Sequence, residues 1–339
     1  MTTNDRSEQD KPTPIKTPIT LVTLATLGDV GIIGAGAVGG SLARALTSAG
    51  ARVVAVAAQN LAHAEAVARH IPGCQAATPA EVVAASNLVL LAAPDDAISP
   101  LATQLPWRAG QRAVHFSGAL GARALAAAAG RGASVAALHP LMTFTRALAA
   151  GPLDAIMARL RGCVWALETE DEAFREALQA MVGALGGRVA LLSESGRIPY
   201  HISGVLASNY VVTLMGAAVT LWESFGAESA LAREALLPLM RAAVENLATV
   251  DPSAALSGPI ARGDLGTIRA HLDWLGAAMA DHPGMSGLRD AYLALARLTI
   301  PLAEARGSLS SAQAEALRTL LANDAAPSPG HAPREEDNA

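Results

Sequence analysis

The sequence predicts an α/β protein, a doubly wound and mostly parallel sheet followed by an all-α domain. Two observations predict it. Between residues 29 and 193, short apolar runs alternate with helical stretches: "DVGIIGAG", "RVVAVAA", "NLVLLAAP", "RAVHFSG", "SVAALHP", "CVWALE" and "RVALLSE". Unbroken apolar runs of strand length, separated by helices, mark a parallel sheet covered on both faces. From Pro199 onward the 3.6-residue period takes over, with helices expected at about 199–225, 228–249, 264–280, 285–305 and 310–323.

The change of period falls near Ser195-Gly196. It divides the chain into a sheet domain at 29–195 and a helical domain at 196–324. Residues 1–28 begin polar, contain Pro12, Pro14 and Pro18, and read as a flexible extension. Residues 325–339 are Pro-rich and polar and read as a disordered tail.

Composition narrows the function. At 339 residues the chain has room for two domains, and 51% hydrophobic against 16% charged residues rules out global disorder. A net charge of −5 argues against a nucleic-acid or polybasic membrane surface. Two cysteines, Cys74 and Cys163, make no disulfide framework and suit a reducing cytoplasm. Ile198 to Trp222 carries no Asp, Glu, Lys or Arg and is long enough to cross a bilayer. Its polar residues, Tyr200, His201, Ser203, Ser208 and Asn209, gather in the first half without a basic flank, so a buried helix is expected rather than a membrane span.

The first motif is "GIIGAGAVGGSLARAL". Gly34, Gly36 and Gly39 stand in G-x-G-x-x-G spacing between an apolar strand and a helix, with Ala37 and Val38 opening that helix. Glycines there permit a tight turn and let backbone N–H groups approach a pyrophosphate at the positive end of the helix. Strand before, helix after and a second strand at Val53 give the pattern its context. At the end of that second strand a carboxylate would hold a free ribose 2′-hydroxyl. The sequence has Gln59 and Asn60 instead, which tilts the cofactor toward NADP, with NAD possible. In "LLAAPDDAI", Ala93, Pro94 and Asp95 follow a strand and are expected beside the nicotinamide ribose, while Asp96 suits a helix cap.

Ser117 in "HFSGAL" and His139 in "LHPLMTF" come at the carboxyl ends of successive strands, where ligands of doubly wound sheets bind. Pro140 is expected to end the ladder of its strand. An imidazole suits proton exchange at a substrate oxygen, and a hydroxyl can hold that oxygen or fix the imidazole. Helical spacing puts His201, Ser208 and Asn209 on one broad face, either lining a cleft or forming a polar seam in a bundle. Arg262 in "SGPIARGD" either grips a substrate carboxylate or pairs with Asp264. His63, His70, His271 and His282 form no metal-ligand spacing with acids or cysteines, so no metal is expected.

These segments, with "YHISGVLASNYVVTL", resemble an uncharacterised family of two-domain bacterial oxidoreductases that pair a Rossmann-like domain with a helical C-terminal domain. The wider group includes prephenate dehydrogenase, pyrroline-5-carboxylate reductase, ketopantoate reductase and 6-phosphogluconate dehydrogenase. The resemblance runs from about Gly31 to about Leu321. It implies hydride transfer between NADPH and a small oxo or hydroxy carboxylic acid, and a homodimer formed through the helical half. Ser117 and His139 resemble the serine and His-Pro pair of prephenate dehydrogenases, but the motif continues Leu-Met-Thr-Phe, which counts against prephenate. The catalytic lysine of ketopantoate reductase has no counterpart, and His201 and Asn209 occupy its region. A prephenate- or pyrroline-carboxylate-type enzyme and a non-catalytic nucleotide sensor are the alternatives.

Overall fold

Each of the seven apolar runs forms a strand, and an eighth, very short strand joins them. The computed structural model describes residues 24–281 and 287–324; the expected tail and His282 lie outside the described residues. The sheet unit runs β1 Asp29–Ile33, α1 Ala37–Ser48, β2 Arg52–Ala57, α2 Leu61–Ala68, β3 Gln75–Ala76, α3 Pro79–Ala85, β4 Leu88–Leu91 and α4 Asp95–Gln104. It continues with β5 Arg112–His115, α5 Ala126–Ala129, β6 Ser134–Pro140, α6 Arg146–Ala150, α7 Leu153–Leu160, β7 Val164–Glu168, α8 Glu172–Ala184 and β8 Arg188–Leu191. The strand order is β3-β2-β1-β4-β5-β6-β7-β8. All pairings are parallel except β6 with β7.

The apolar runs are continuous because both faces are covered. Val30, Ile32, Leu88, Leu90 and Val114 belong to one core, and the alternate residues Ile33, Val89, Leu91 and Ala113 to a second core on the opposite face. From β1 the chain steps outward to β2 and β3, then returns to the other side of β1 as β4. The switch point between β1 and β4 leaves a crevice at the carboxyl ends of the strands.

Three expectations are corrected. The extension over 1–28 gives way at Leu24: Leu24 and Leu27 are buried in the first core, and Arg112 donates to the carbonyls of Thr26 and Leu27 at 2.9 Å each. Pro140 does not end its ladder, since it pairs with Trp165 and Leu141 N–H donates to the Val164 carbonyl at 2.9 Å. Successive residues of a strand point their N–H groups to opposite edges. The nitrogen of Pro140 therefore faces the β5 side, where pairing already stops at Ala137.

The third correction concerns the long apolar helix. It comprises α9 Arg197–Gly204, a π-helical turn Val205–Asn209 and α10 Tyr210–Ser224. Contacts divide the chain between Leu206 and Ala207, inside that helix. No residue of the apolar window within Glu194–Ser224 is fully buried, and α10 contributes no residue to a core. The core of the second unit comes from α13 Leu265–Asp281, α14 Leu288–Ala305 and α15 Ser311–Asn323. Within its unit α10 packs on α11 Ser229–Leu247, which is followed by the short α12 Pro252–Ala255. Val212 and Leu239 remain 73% and 68% exposed.

Candidate active site

The loop after β1 is where the sheet unit opens. Gly34 has φ +110°, and a Cβ there would stand 2.2 Å from the Ala92 carbonyl oxygen. A Cβ on Gly39 would stand 1.9 Å from the Gly34 oxygen, so this glycine lets α1 close onto the strand end. Gly36 differs. Its φ is −82° and nothing lies within 4 Å of its missing Cβ. Neither strain nor packing demands glycine there, so the space its side chain would fill is open to a ligand.

That space is a cavity of about 920 Å³. Gly34, Gly36, Ala37 and Val38 form its floor, Ala93 and Pro94 close it on the β4 side, and Gln59 lies at the β2 side. The glycine-loop backbone and the N-terminus of α1 suit a dinucleotide pyrophosphate. Asn60 caps α2, its side chain accepting the Ala62 N–H at 2.9 Å. Asp95 and Asp96 occupy the first turn of α4, where a carboxylate is favourable beside the helix N-terminus.

At the ends of β5 and β6 the side chains pin one loop, residues 117–122. His115 is fully buried. Its Nδ1 accepts the Ser117 N–H at 3.2 Å, so its proton is on Nε2, which donates to the Gly121 carbonyl at 2.9 Å. Burial keeps this imidazole neutral by pushing its pKa down. Ser117 Oγ accepts the N–H groups of Ala119 and Leu120 at 3.1 and 3.0 Å. Glu168, at the end of β7, accepts the Ala122 N–H at 2.9 Å on one oxygen. Its other oxygen meets Arg197 at 2.7 and 2.8 Å, and Arg197 is 2% exposed.

His139 and His201 meet over this loop. A Cβ on Gly118 would stand 2.8 Å from His201 Cδ2 and 3.1 Å from His139 Nε2. The two imidazoles are 6.4 Å apart between centroids and nearly perpendicular. On its far side, His139 Nδ1 is hydrogen-bonded to the Tyr200 hydroxyl at 2.8 Å. Burial, then the neighbouring His201 and Arg197, pushes the His139 pKa down to about 4, with Asp95 opposing weakly. Burial pushes the Tyr200 phenol up to about 12. Both groups are therefore neutral at ordinary pH.

In sequence, residues 20–140 match a Rossmann-like domain and residues 163–299 match a domain of unknown function, DUF2520. The chain joins a Rossmann-like domain to a DUF2520 domain. No curated protein matches it. Its fold is similar to that of a Bacteroides fragilis protein provisionally named an NADP oxidoreductase, with 23% identity, 79% of this chain and 96% of the other covered, and a TM-score of 0.64. It is also similar to 1-pyrroline-5-carboxylate reductase from Streptococcus pyogenes (16% identity, 79% and 97% covered, TM-score 0.53). A reductive aminase from Aspergillus terreus, solved with NADPH and ethyl levulinate, follows (20% identity, 87% and 98% covered, TM-score 0.54). At these identities the likeness establishes the fold.

The DUF2520 match begins at Cys163, so it supplies β7, β8 and α9 to the same compact unit as the Rossmann-like domain. Ser117 and His139 come from the Rossmann-like match, and Glu168, Arg197, Tyr200 and His201 from DUF2520. Of the residues expected at the site, the structure brings together Ser117, His139 and His201. Ser208 and Asn209 lie in the π-helical turn, through which the 3.6-residue period that put them on the face of His201 does not run. Arg262 ends a 3₁₀ turn in the second unit, and Asp264 caps α13 by accepting the Thr267 N–H and hydroxyl at 3.1 and 2.7 Å.

Sequence reasoning missed His115, Glu168, Arg197 and Tyr200. The signal for Arg197 was local: a lone cation immediately before a charge-free apolar helix. Glu168 ends a buried strand in the same way.

Proposed function

We propose that the chain is an NADPH-dependent reductase of a polar double bond, C=O or C=N, in a small carboxylate-bearing molecule. One observation carries the reading: a glycine-floored cavity at the β1/β4 switch point and a neutral His139–Tyr200 pair beside His201 belong to one compact unit. The solved structures of similar fold named as an NADP oxidoreductase, a pyrroline-5-carboxylate reductase and a reductive aminase support it. NADPH, when bound, supplies the hydride. The loop backbone at Gly34–Gly39 holds its pyrophosphate, and His139 orients the acceptor atom over Gly118 and manages its proton.

The state of His139 favours C=N over C=O within this class. A ketone needs a proton at oxygen as hydride arrives, whereas an iminium carries its own. An imidazole with a pKa of about 4 is a scarce acid at neutral pH but a serviceable hydrogen-bond partner. The ketopantoate-type oxo acid is therefore the second choice. The working form is a homodimer, supported by the apolar surface of α10 and α11 that their own unit leaves uncovered.

The test is NADPH oxidation against a panel of cyclic imino acids and 2-oxo acids, ketopantoate included. Turnover with an imino acid, lowered about 10- to 100-fold in His139→Ala, the loss of one orienting hydrogen bond, is expected. Tight NADPH binding with no turnover on any member would favour a nucleotide sensor.

A further inference from the structure

We propose that Arg146 is the residue that selects NADPH over NADH, by pairing with the 2′-phosphate. The inference rests on the dinucleotide reading of the cavity and names a determinant that the β2 turn does not contain. Gln59 and Asn60 at that turn carry no charge, and Asn60 is occupied in capping α2. Yet among the described residues, every ionisable side chain lining the cavity is basic: Arg44, His63, His70 and Arg146. A lining with two guanidinium groups, two imidazoles and no carboxylate suits a ligand carrying more negative charge than the glycine loop and one helix end accommodate.

The four are not equivalent. Arg44 donates from Nη1 to the carbonyls of Ala149 and Gly151 at 2.7 Å each, so it holds α6 against α1. A Cβ on Gly40 would stand 3.3 Å from Val67 Cγ2 and 3.6 Å from Ala149 Cβ, so α2 and α6 converge on the same spot of α1. Arg146 is one turn before Ala149 on α6, and His63 one turn before Val67 on α2. Both are exposed and line the cavity. The helix α2 follows the turn that meets the adenosine ribose, and Arg146 lines the same cavity from a segment remote in sequence. Its planar fork matches a phosphate in two bonds, and His63 supplies a third donor.

Fluorescence titration of the full chain with NADPH and with NADH separates the roles. The wild type should bind NADPH more tightly. Arg146→Ala should weaken NADPH about 10- to 100-fold, the loss of a charge-assisted pair, and leave NADH within about threefold. Arg146→Lys should recover part of the preference. Arg146 is exposed, and an unchanged circular dichroism spectrum in the variants would exclude misfolding. Equal weakening of both cofactors would assign Arg146 to the shared pyrophosphate and overturn the proposal, as would no change in either. A wild type that binds neither dinucleotide would overturn the cavity reading itself; one that binds both equally would overturn only this inference.

Discussion

Tyr200 Oη stands 2.8 Å from Nδ1 of His139, and only 3.4 Å separates it from the His139 carbonyl. A protonated phenol has one hydrogen, so it couples to the ring tautomer: given to Nδ1, it puts the imidazole proton on Nε2, the nitrogen facing Gly118, and given to the carbonyl, it puts that proton on Nδ1. In Tyr200→Phe the tautomer is no longer held. Nitrogen NMR should report a mixture of tautomers, with turnover lowered and NADPH affinity kept. An unchanged tautomer would assign the control to the backbone.

The depressed pKa of His139 makes stability depend on pH. The unfolded imidazole takes a proton near 6.5, whereas the folded one refuses it until about 4. Its contribution is whole above 6.5 and is lost as pH falls toward 4, on the order of 3 kcal/mol when complete. Urea midpoints should fall between pH 7 and pH 5, and fall less steeply in His139→Gln. Parallel slopes would mean that the buried imidazole titrates like an exposed one.

Gly118 should be intolerant of a single methyl group. Gly118→Ala puts a carbon 2.8 Å from His201, closer than packed atoms allow, and 3.1 Å from His139, tight enough to push that ring by a few tenths of an ångström. Both rings must move, while the cavity lining does not include this residue. Turnover should drop at least tenfold, since misplacing a reacting group by about 1 Å costs about 10² in rate. NADPH affinity should hold. If the two fall together, the loop supports the cofactor rather than the substrate.

The Glu168–Arg197 pair is a buried strut. Glu168→Gln leaves a guanidinium charge buried without its counter-ion and should cost about 3–5 kcal/mol in a urea titration. The double variant Glu168→Gln with Arg197→Met removes the stranded charge and should recover much of the loss. Additive losses would show that the two residues act independently.

The α10–α11 surface should be covered by a second copy. Light scattering is expected to give about twice the 34.5 kDa chain mass. Val212→Asp with Leu239→Asp should return a monomer whose NADPH binding is kept. A wild-type monomer that partitions onto neutral lipid vesicles would assign the same surface to a membrane instead.

Local pattern along the chain accounts for the sheet, the glycine cradle and the switch point. Apolar runs such as "NLVLL" can only be buried on both faces, and the positive φ of Gly34 and the contact of Gly39 with the Gly34 oxygen arise within one strand-turn-helix. Ser117 and His139 were legible for the same reason, as polar residues at the ends of apolar strands. The two-residue β3 was too short to have a pattern. The remaining contacts depend on long-range packing. The antiparallel β6–β7 pairing puts Glu168 where Arg197, 29 residues away, can reach it. The turn of α9 puts Tyr200 on His139 across 61 residues, and α6 carries Arg146 to a cavity floored by residues 34–38. Ion pairs and hydrogen bonds of this span leave no periodicity in the chain, because each partner read alone is an ordinary polar residue. The apolar α10 shows the same limit from the other side. Hydrophobicity demands that a face be covered, and it does not say by what.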